Sequence, residues 1–203
     1  MYPTVEVRWF FRGRLPDQVT SWYRELPGPL SSAETRVDRY LRLDEGEAVG
    51  IKLREGNLEI KRRVEAFGKV SFPNRVTGRL EHWRKWSFAL GIDTDAGDYV
   101  AGSDSDWLAV NKTRQLRRYL VEGGRLLALP VSDVERGCEV ELAQVTLLQS
   151  WWSIALEAFG PEGELRQTLE SVAERVFATP PPITLTVEAS FSYPQWLALP
   201  AGP

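Results

Sequence analysis

Gly50 to Arg63 reads GIKLREGNLEIKRR, and two runs of alternation inside it decide the fold. Ile51 and Leu53 alternate with Lys52 and Arg54; after Glu55-Gly56-Asn57, Leu58 and Ile60 alternate with Glu59, Lys61 and Arg63. A period of two puts successive side chains on opposite faces of a strand. The stretch is therefore a hairpin with one apolar and one charged face. Glu55-Gly56-Asn57 supplies the tolerance of positive φ that a three-residue loop requires. Four cations (Lys52, Arg54, Lys61, Arg63) and one carboxylate (Glu59) share the charged face. Like charges side by side weaken paired strands, so this face meets either water or something anionic.

The same alternation recurs on both sides of the hairpin. Thr4 to Phe11 places Val5, Val7 and Trp9 against Glu6, Arg8 and Phe10. Val37 to Leu43 reads as a further strand, and Gly78 to Leu90 puts Glu81, Trp83 and Lys85 opposite His82, Arg84 and Trp86. Trp107 to Arg114 carries Lys112 and Arg114 on one face, with a second short strand expected at Arg117 to Val121. Cys138 to Val145 sets Glu139 and Glu141 against Val140 and Leu142; Trp151 to Phe159 sets Ser153, Ala155 and Glu157 against Trp152, Ile154 and Leu156. Thr184 to Phe191 alternates again and reads as a terminal strand. Two helices stand out. Pro16 to Leu26 spaces Val19, Trp22 and Leu26 on one stripe, and Glu162 to Phe177 does so with Leu165, Leu169, Val172 and Val176 before Pro180 to Pro182 stop it. Asp93 to Asp106 is a polar loop whose Asp93, Asp95 and Asp98 lack the spacing and terminal Glu of a calcium loop.

Eight strands and two helices predict an α+β chain, mostly an antiparallel eight-stranded barrel with helices packed outside. Closure explains why so many strands carry charge on one face: the charged faces line a lumen. Residues 1–203 contain no linker-like run and read as one barrel domain.

Composition narrows the function. The net charge of −3 disfavours general nucleic-acid binding, so any basic surface is local. One cysteine, Cys138, excludes an internal disulfide, and one histidine, His82, leaves little for a His-based metal site or a Ser-His-Asp triad. No apolar run approaches a membrane span, and together with the lone cysteine this leads to the expectation of a cytoplasmic protein without a membrane partner. Eight tryptophans are simplest as packing residues, although aromatic rings within a barrel also suit a stacked ligand.

In this order the segments EVRWFF, DRYL, GIKLR, LEIKRR, NKTR, ELAQV and IALEAF resemble the CYTH superfamily, the triphosphate tunnel metalloenzymes. The resemblance spans nearly the whole chain, through short motifs. It implies a tunnel whose basic residues, here Arg8, Lys52, Arg54, Lys61, Arg63, Lys112 and Arg114, bind a triphosphate or another anionic phosphorylated small molecule. It also implies Mg²⁺ or Mn²⁺ held by Glu6, Glu141 and Glu157, with Glu6 and Glu157 in catalytic roles. Where the family signature is Glu-x-Glu-x-Lys this chain reads Thr4-Val5-Glu6-Val7-Arg8, with Thr in place of the first Glu and Arg in place of Lys. Of a late Glu pair expected at positions 155 and 157 only Glu157 is present, position 155 being Ala. Two readings stand open: a metal-dependent triphosphatase, and a binding module that keeps the barrel without the metal site.

Overall fold

Alternation along each strand is what lets the sheet close. The computed structural model describes residues 1–43, 46–90, 106–122, 125–129 and 134–199. Its strands are β1 (Tyr2–Arg12), β2 (Glu34–Leu41), β3 (Val49–Arg54), β4 (Asn57–Ser71), β5 (Thr77–Ala89), β6 (Trp107–Glu122), β7 (Arg125–Leu129), β8 (Gly137–Thr146) and β9 (Ser150–Phe159). The order is β2-β3-β4-β5-β1-β9-β8-β6, and β6 pairs back onto β2, which closes an eight-stranded antiparallel barrel. β7 only extends the hairpin made with the far half of β6. The acidic loop at Asp93, Asp95 and Asp98 lies outside the described residues.

The hairpin forms as expected with a tighter turn. Arg54 pairs with Asn57, leaving Glu55 (φ 48°) and Gly56 (φ 72°) as a two-residue connection. Positive φ at both positions matches the right-handed twist of the strands, which a longer loop would not need to supply. β4 then continues to Ser71, through irregularities between Arg63 and Glu65 and between Ala66 and Gly68. Each inserts a residue and reverses which side chains face inward, so simple alternation fails beyond Arg63. Likewise β6 is one continuous strand, not two.

Among the described residues, three helices attach to this frame: α1 (Asp17–Glu25), α2 (Leu165–Phe177) and α3 (Tyr193–Ala198). α2 buries Leu165, Leu169, Val172, Val176 and Phe177 against the outer faces of β1, β8 and β9, where Val5, Val7, Val140 and Leu156 lie. Burying each large apolar side chain contributes about 1.5–3 kcal/mol. Trp9 meets Phe177 edge to face at 5.8 Å, and Trp22 stacks on the same ring at 6.5 Å. On the hairpin the outer residues Ile51, Leu53, Leu58 and Ile60 stay partly exposed.

The tail departs from expectation. Thr184 to Phe191 forms a 3-10 turn at Val187–Ala189 and a single bridge from Ser190 to Trp9, not a strand. The reason is that the barrel is already closed. β1 and β5 pair only over Tyr2 to Glu6 with Glu81 to Lys85 and then splay, and the tail fills that gap. Phe191 N donates to Arg8 O at 3.1 Å, Thr77 N to Leu185 O at 2.9 Å, and Arg79 N to Ser190 Oγ at 2.9 Å. The chain then enters α3, whose first turn is capped by Ser192 and Gln195. Trp196 buries itself among Phe10, Tyr40, Val110, Ala143 and Val145 and stacks on Phe10 at 4.9 Å. Gly50 lets Pro194 pass close, since an added Cβ there would stand 3.3 Å from its ring. α3 thus floors the barrel at one end.

Candidate functional site

Above this floor the charged faces of the strands enclose a cavity of about 140 Å³. It opens at the other end into a vestibule of about 1000 Å³ rimmed by Tyr2, Arg118, Arg136 and Phe159. Arg54, Lys85, Arg114, Glu139 and Glu157 line both spaces, so they are continuous. Of the seven cations expected to bind a ligand, Arg8, Lys52, Arg54, Lys61, Lys112 and Arg114 line the cavity. Arg63 stands beside them and pairs with Glu81 at 2.6 Å.

The lumen holds carboxylates as well as cations, and their arrangement is uneven. Glu141 on β8 receives three cations. Arg8 Nη1 donates at 2.7 Å, Lys112 Nζ at 3.0 and 2.8 Å to its two oxygens, and Arg114 Nη1 at 3.4 Å. Burial would raise the Glu141 carboxyl, but Lys112, Arg8 and Arg114 outweigh it and hold the group well below the usual carboxylate range. Burial also pushes the Lys112 ammonium down to about 8, with Glu141 offsetting only part of the effect. The ring of Tyr193 from α3 lies 4.8 Å from the Arg8 guanidinium and 5.3 Å from Lys112 Nζ. Arg8 Nε and the Tyr193 hydroxyl are buried without a hydrogen-bond partner among the described residues.

A second cluster joins β2 to the hairpin. Lys52 lies 3.7 Å from Asp38 and 3.2 Å from Glu59, Arg54 pairs with Glu59, and Lys85 stands 3.5 Å from it. Burial pushes Lys52 down to about 8, against the opposing pull of Asp38 and Glu59. Arg36 bonds Asp38 at 3.0 Å and also Glu34, which Arg114 shares at 2.9 Å.

The third cluster reverses the ratio. Glu6 and Glu157 are direct cross-strand partners, and one ammonium, Lys61, serves both at 2.5 and 3.2 Å. The three carboxylates expected to share a metal therefore do not form one group. Both oxygens of Glu141 are taken by cations, and Lys61 stands between the other two. Among the described residues, no set of three or more His, Cys, Asp or Glu side chains is placed to hold an ion. Mg²⁺ is commonly held by one or two carboxylates together with waters and phosphate oxygens; here Lys61 stands in the position between Glu6 and Glu157 that such an ion would take.

Alternation alone missed Arg36, Asp38, Glu59 as a partner, Lys85 and Tyr193. The first two were visible as the period-two set Glu34, Arg36, Asp38, Tyr40, and Lys85 follows Glu81 and Trp83 on one face. Nothing in the sequence signalled Tyr193, which arrives from the floor. Trp83 is fully buried and lines the cavity, 5.4 Å from Lys61 Nζ and 5.9 Å from the Arg63 guanidinium. His82 packs outside against Phe67 at 6.3 Å, 3.4 Å from Glu162.

No family model and no curated protein matches this chain. Among solved structures, a conserved hypothetical protein from Pyrococcus furiosus is similar at 12% identity and a TM-score of 0.49, over 85% of this chain and 90% of the other. A protein from Hippeastrum, described as an adenylyl cyclase with a dominant triphosphatase activity, is similar at 9% identity and a TM-score of 0.35, over 82% and 83%. No helix among the described residues is long and apolar enough to cross a membrane.

Proposed function

We propose that the barrel binds a phosphorylated small molecule, phosphate end inward, and does not hydrolyse it. One observation carries this reading: Arg8, Lys112 and Arg114 converge on a single carboxylate at the wall of a cavity open to solvent at one end. Arg114 also bonds Glu34, but the cavity as a whole is lined, among the described residues, by eight cations against five carboxylates, which leaves positive charge uncompensated. Guanidinium forks and an ammonium match the oxygens of a phosphoryl group, and charge-assisted bonds of this kind are the strong ones.

Glu141 holds the three cations in place before a ligand arrives, which lowers the entropy cost of ordering them. Phosphoryl oxygens then meet the donor positions Glu141 does not use, including Arg8 Nε. Lys112 and Lys52 bind most strongly while protonated, and an anion beside them raises their proton affinity. The vestibule leaves room for the remainder of the molecule. The reading agrees with the CYTH resemblance on anion binding, and the Glu6, Glu157, Lys61 arrangement favours binding over metal-dependent hydrolysis.

The test is calorimetric titration with tripolyphosphate, pyrophosphate and a nucleoside triphosphate in excess chelator, beside a phosphate-release assay with Mg²⁺ or Mn²⁺. Stoichiometric binding in chelator with no multiple-turnover release is expected. Absence of binding by all three would sink the proposal; sustained release with either metal would restore the hydrolytic reading.

A further inference from the structure

Glu6 on β1 and Glu157 on β9 face each other across the strand pair and both line the cavity. Two carboxylates so placed repel one another unless a cation stands between them. Here that cation is part of the chain. Lys61 reaches across from β4, its Nζ 2.5 Å from Glu6 Oε2 and 3.2 Å from Glu157 Oε1. A further side of the ammonium rests 5.4 Å from the centre of the Trp83 ring. Burial alone would lower Lys61, but Glu157 and Glu6 outweigh it and hold the group above the ordinary lysine range. Glu157, which burial would raise, is held down to about 2 by Lys61, then Lys85 and Arg8. Glu157 and the ammonium are thus charged together.

We propose that Lys61 is a tethered counter-ion that holds the seat between Glu6 and Glu157, excluding divalent cations from it, and that the pair accepts Mn²⁺ or Mg²⁺ once Lys61 is shortened. The reasoning is stereochemical. A hard divalent ion needs carboxylate oxygens at short range, about 2.0–2.1 Å for Mg²⁺, together with several waters. An ammonium in hydrogen-bond contact with both carboxylates takes those lone pairs and repels a second cation. Removing the side chain beyond Cβ leaves two facing carboxylates, both able to ligate, and space for bound water. The anionic pair then recruits a counter-ion from solution in place of the one it has lost. This inference does not depend on what binds near Glu141, because its readout is metal, not anion.

The experiment is Mn²⁺ titration of the full chain, followed by the paramagnetic resonance of free Mn²⁺ and by calorimetry. It compares wild type, Glu6→Gln, Lys61→Ala, and Lys61→Ala combined with Glu6→Gln. Wild type should show no Mn²⁺ binding that depends on Glu6. Lys61→Ala should take up one equivalent, at least tenfold more tightly than wild type, and the added Glu6→Gln should reverse the gain. If Lys61→Ala does not fold, Lys61→Ser, short and polar, carries the same expectation. One Mn²⁺ equivalent on wild type that Glu6→Gln abolishes would overturn the proposal, as would a folded Lys61 variant binding no tighter than wild type. Anion titrations on wild type keep their own outcome in every case.

Discussion

Two regions of one lumen use opposite ratios of charge. Around Glu141 three cations share one carboxylate; around Lys61 two carboxylates share one cation. The first arrangement leaves positive charge over and calls for an anion. The second takes its bridging cation from the chain itself, with Lys85 and Arg8 acting on Glu157 from further off. A count of basic residues along the strands would treat Lys61 and Lys112 as equals, but their partners give them different work.

The largest way to break this comparison is to remove the shared carboxylate. Glu141→Ala strands Arg8 and Lys112 in the interior, both almost fully buried. Breaking a buried charge cluster by deleting one partner costs about 3–5 kcal/mol, to be read from urea or thermal unfolding. Second in size is ligand affinity. Lys112→Met removes one charge-assisted bond of about 1.5–3 kcal/mol, so phosphate affinity should fall roughly tenfold to a hundredfold, while the same change at Lys61 should cost less.

Next comes pH. Because Lys52 and Lys112 are pushed down to about 8, they shed protons as pH rises from 7 to 9, and anion affinity should decline over that window. Affinity flat from pH 7 to 9 would count against a binding role for either. On the acid side the sign runs the other way for stability. Glu157 is lowered to about 2, so its contribution is present above the ordinary carboxylate range and disappears as pH falls from there toward 2. Glu157→Gln should flatten that part of the acid-unfolding curve. The smallest effect belongs to Arg62, which neighbours Lys61 on β4 but faces outward and is exposed. Arg62→Ala should change stability by less than about 0.5 kcal/mol and leave anion binding alone.

Much of the barrel was legible because period-two alternation reports directly which face a side chain takes. It placed Glu6, Arg8, Lys52, Arg54, Lys61, Lys112, Arg114, Glu141 and Glu157 inside, where the structure has them. Alternation says nothing about which inward residues meet across the lumen, because strand tilt and stagger set that. Hence the pairing of Glu141 with Arg8 and Lys112, to which β8 delivers it, could not be read from the sequence. Local pattern also fails where closure removes the partner. ITLTVEASFSY alternates well enough for a strand, but only the short gap between β1 and β5 was open to it, so it became a turn and then the helical floor.

That floor determines how the lumen exchanges its contents. With Trp196 and Tyr193 packed at one end, the vestibule is the wide approach to the cavity among the described residues. A bulky molecule lodged in the vestibule would act as a stopper, slowing arrival and departure of a deeper anion by the same factor and leaving its equilibrium affinity untouched.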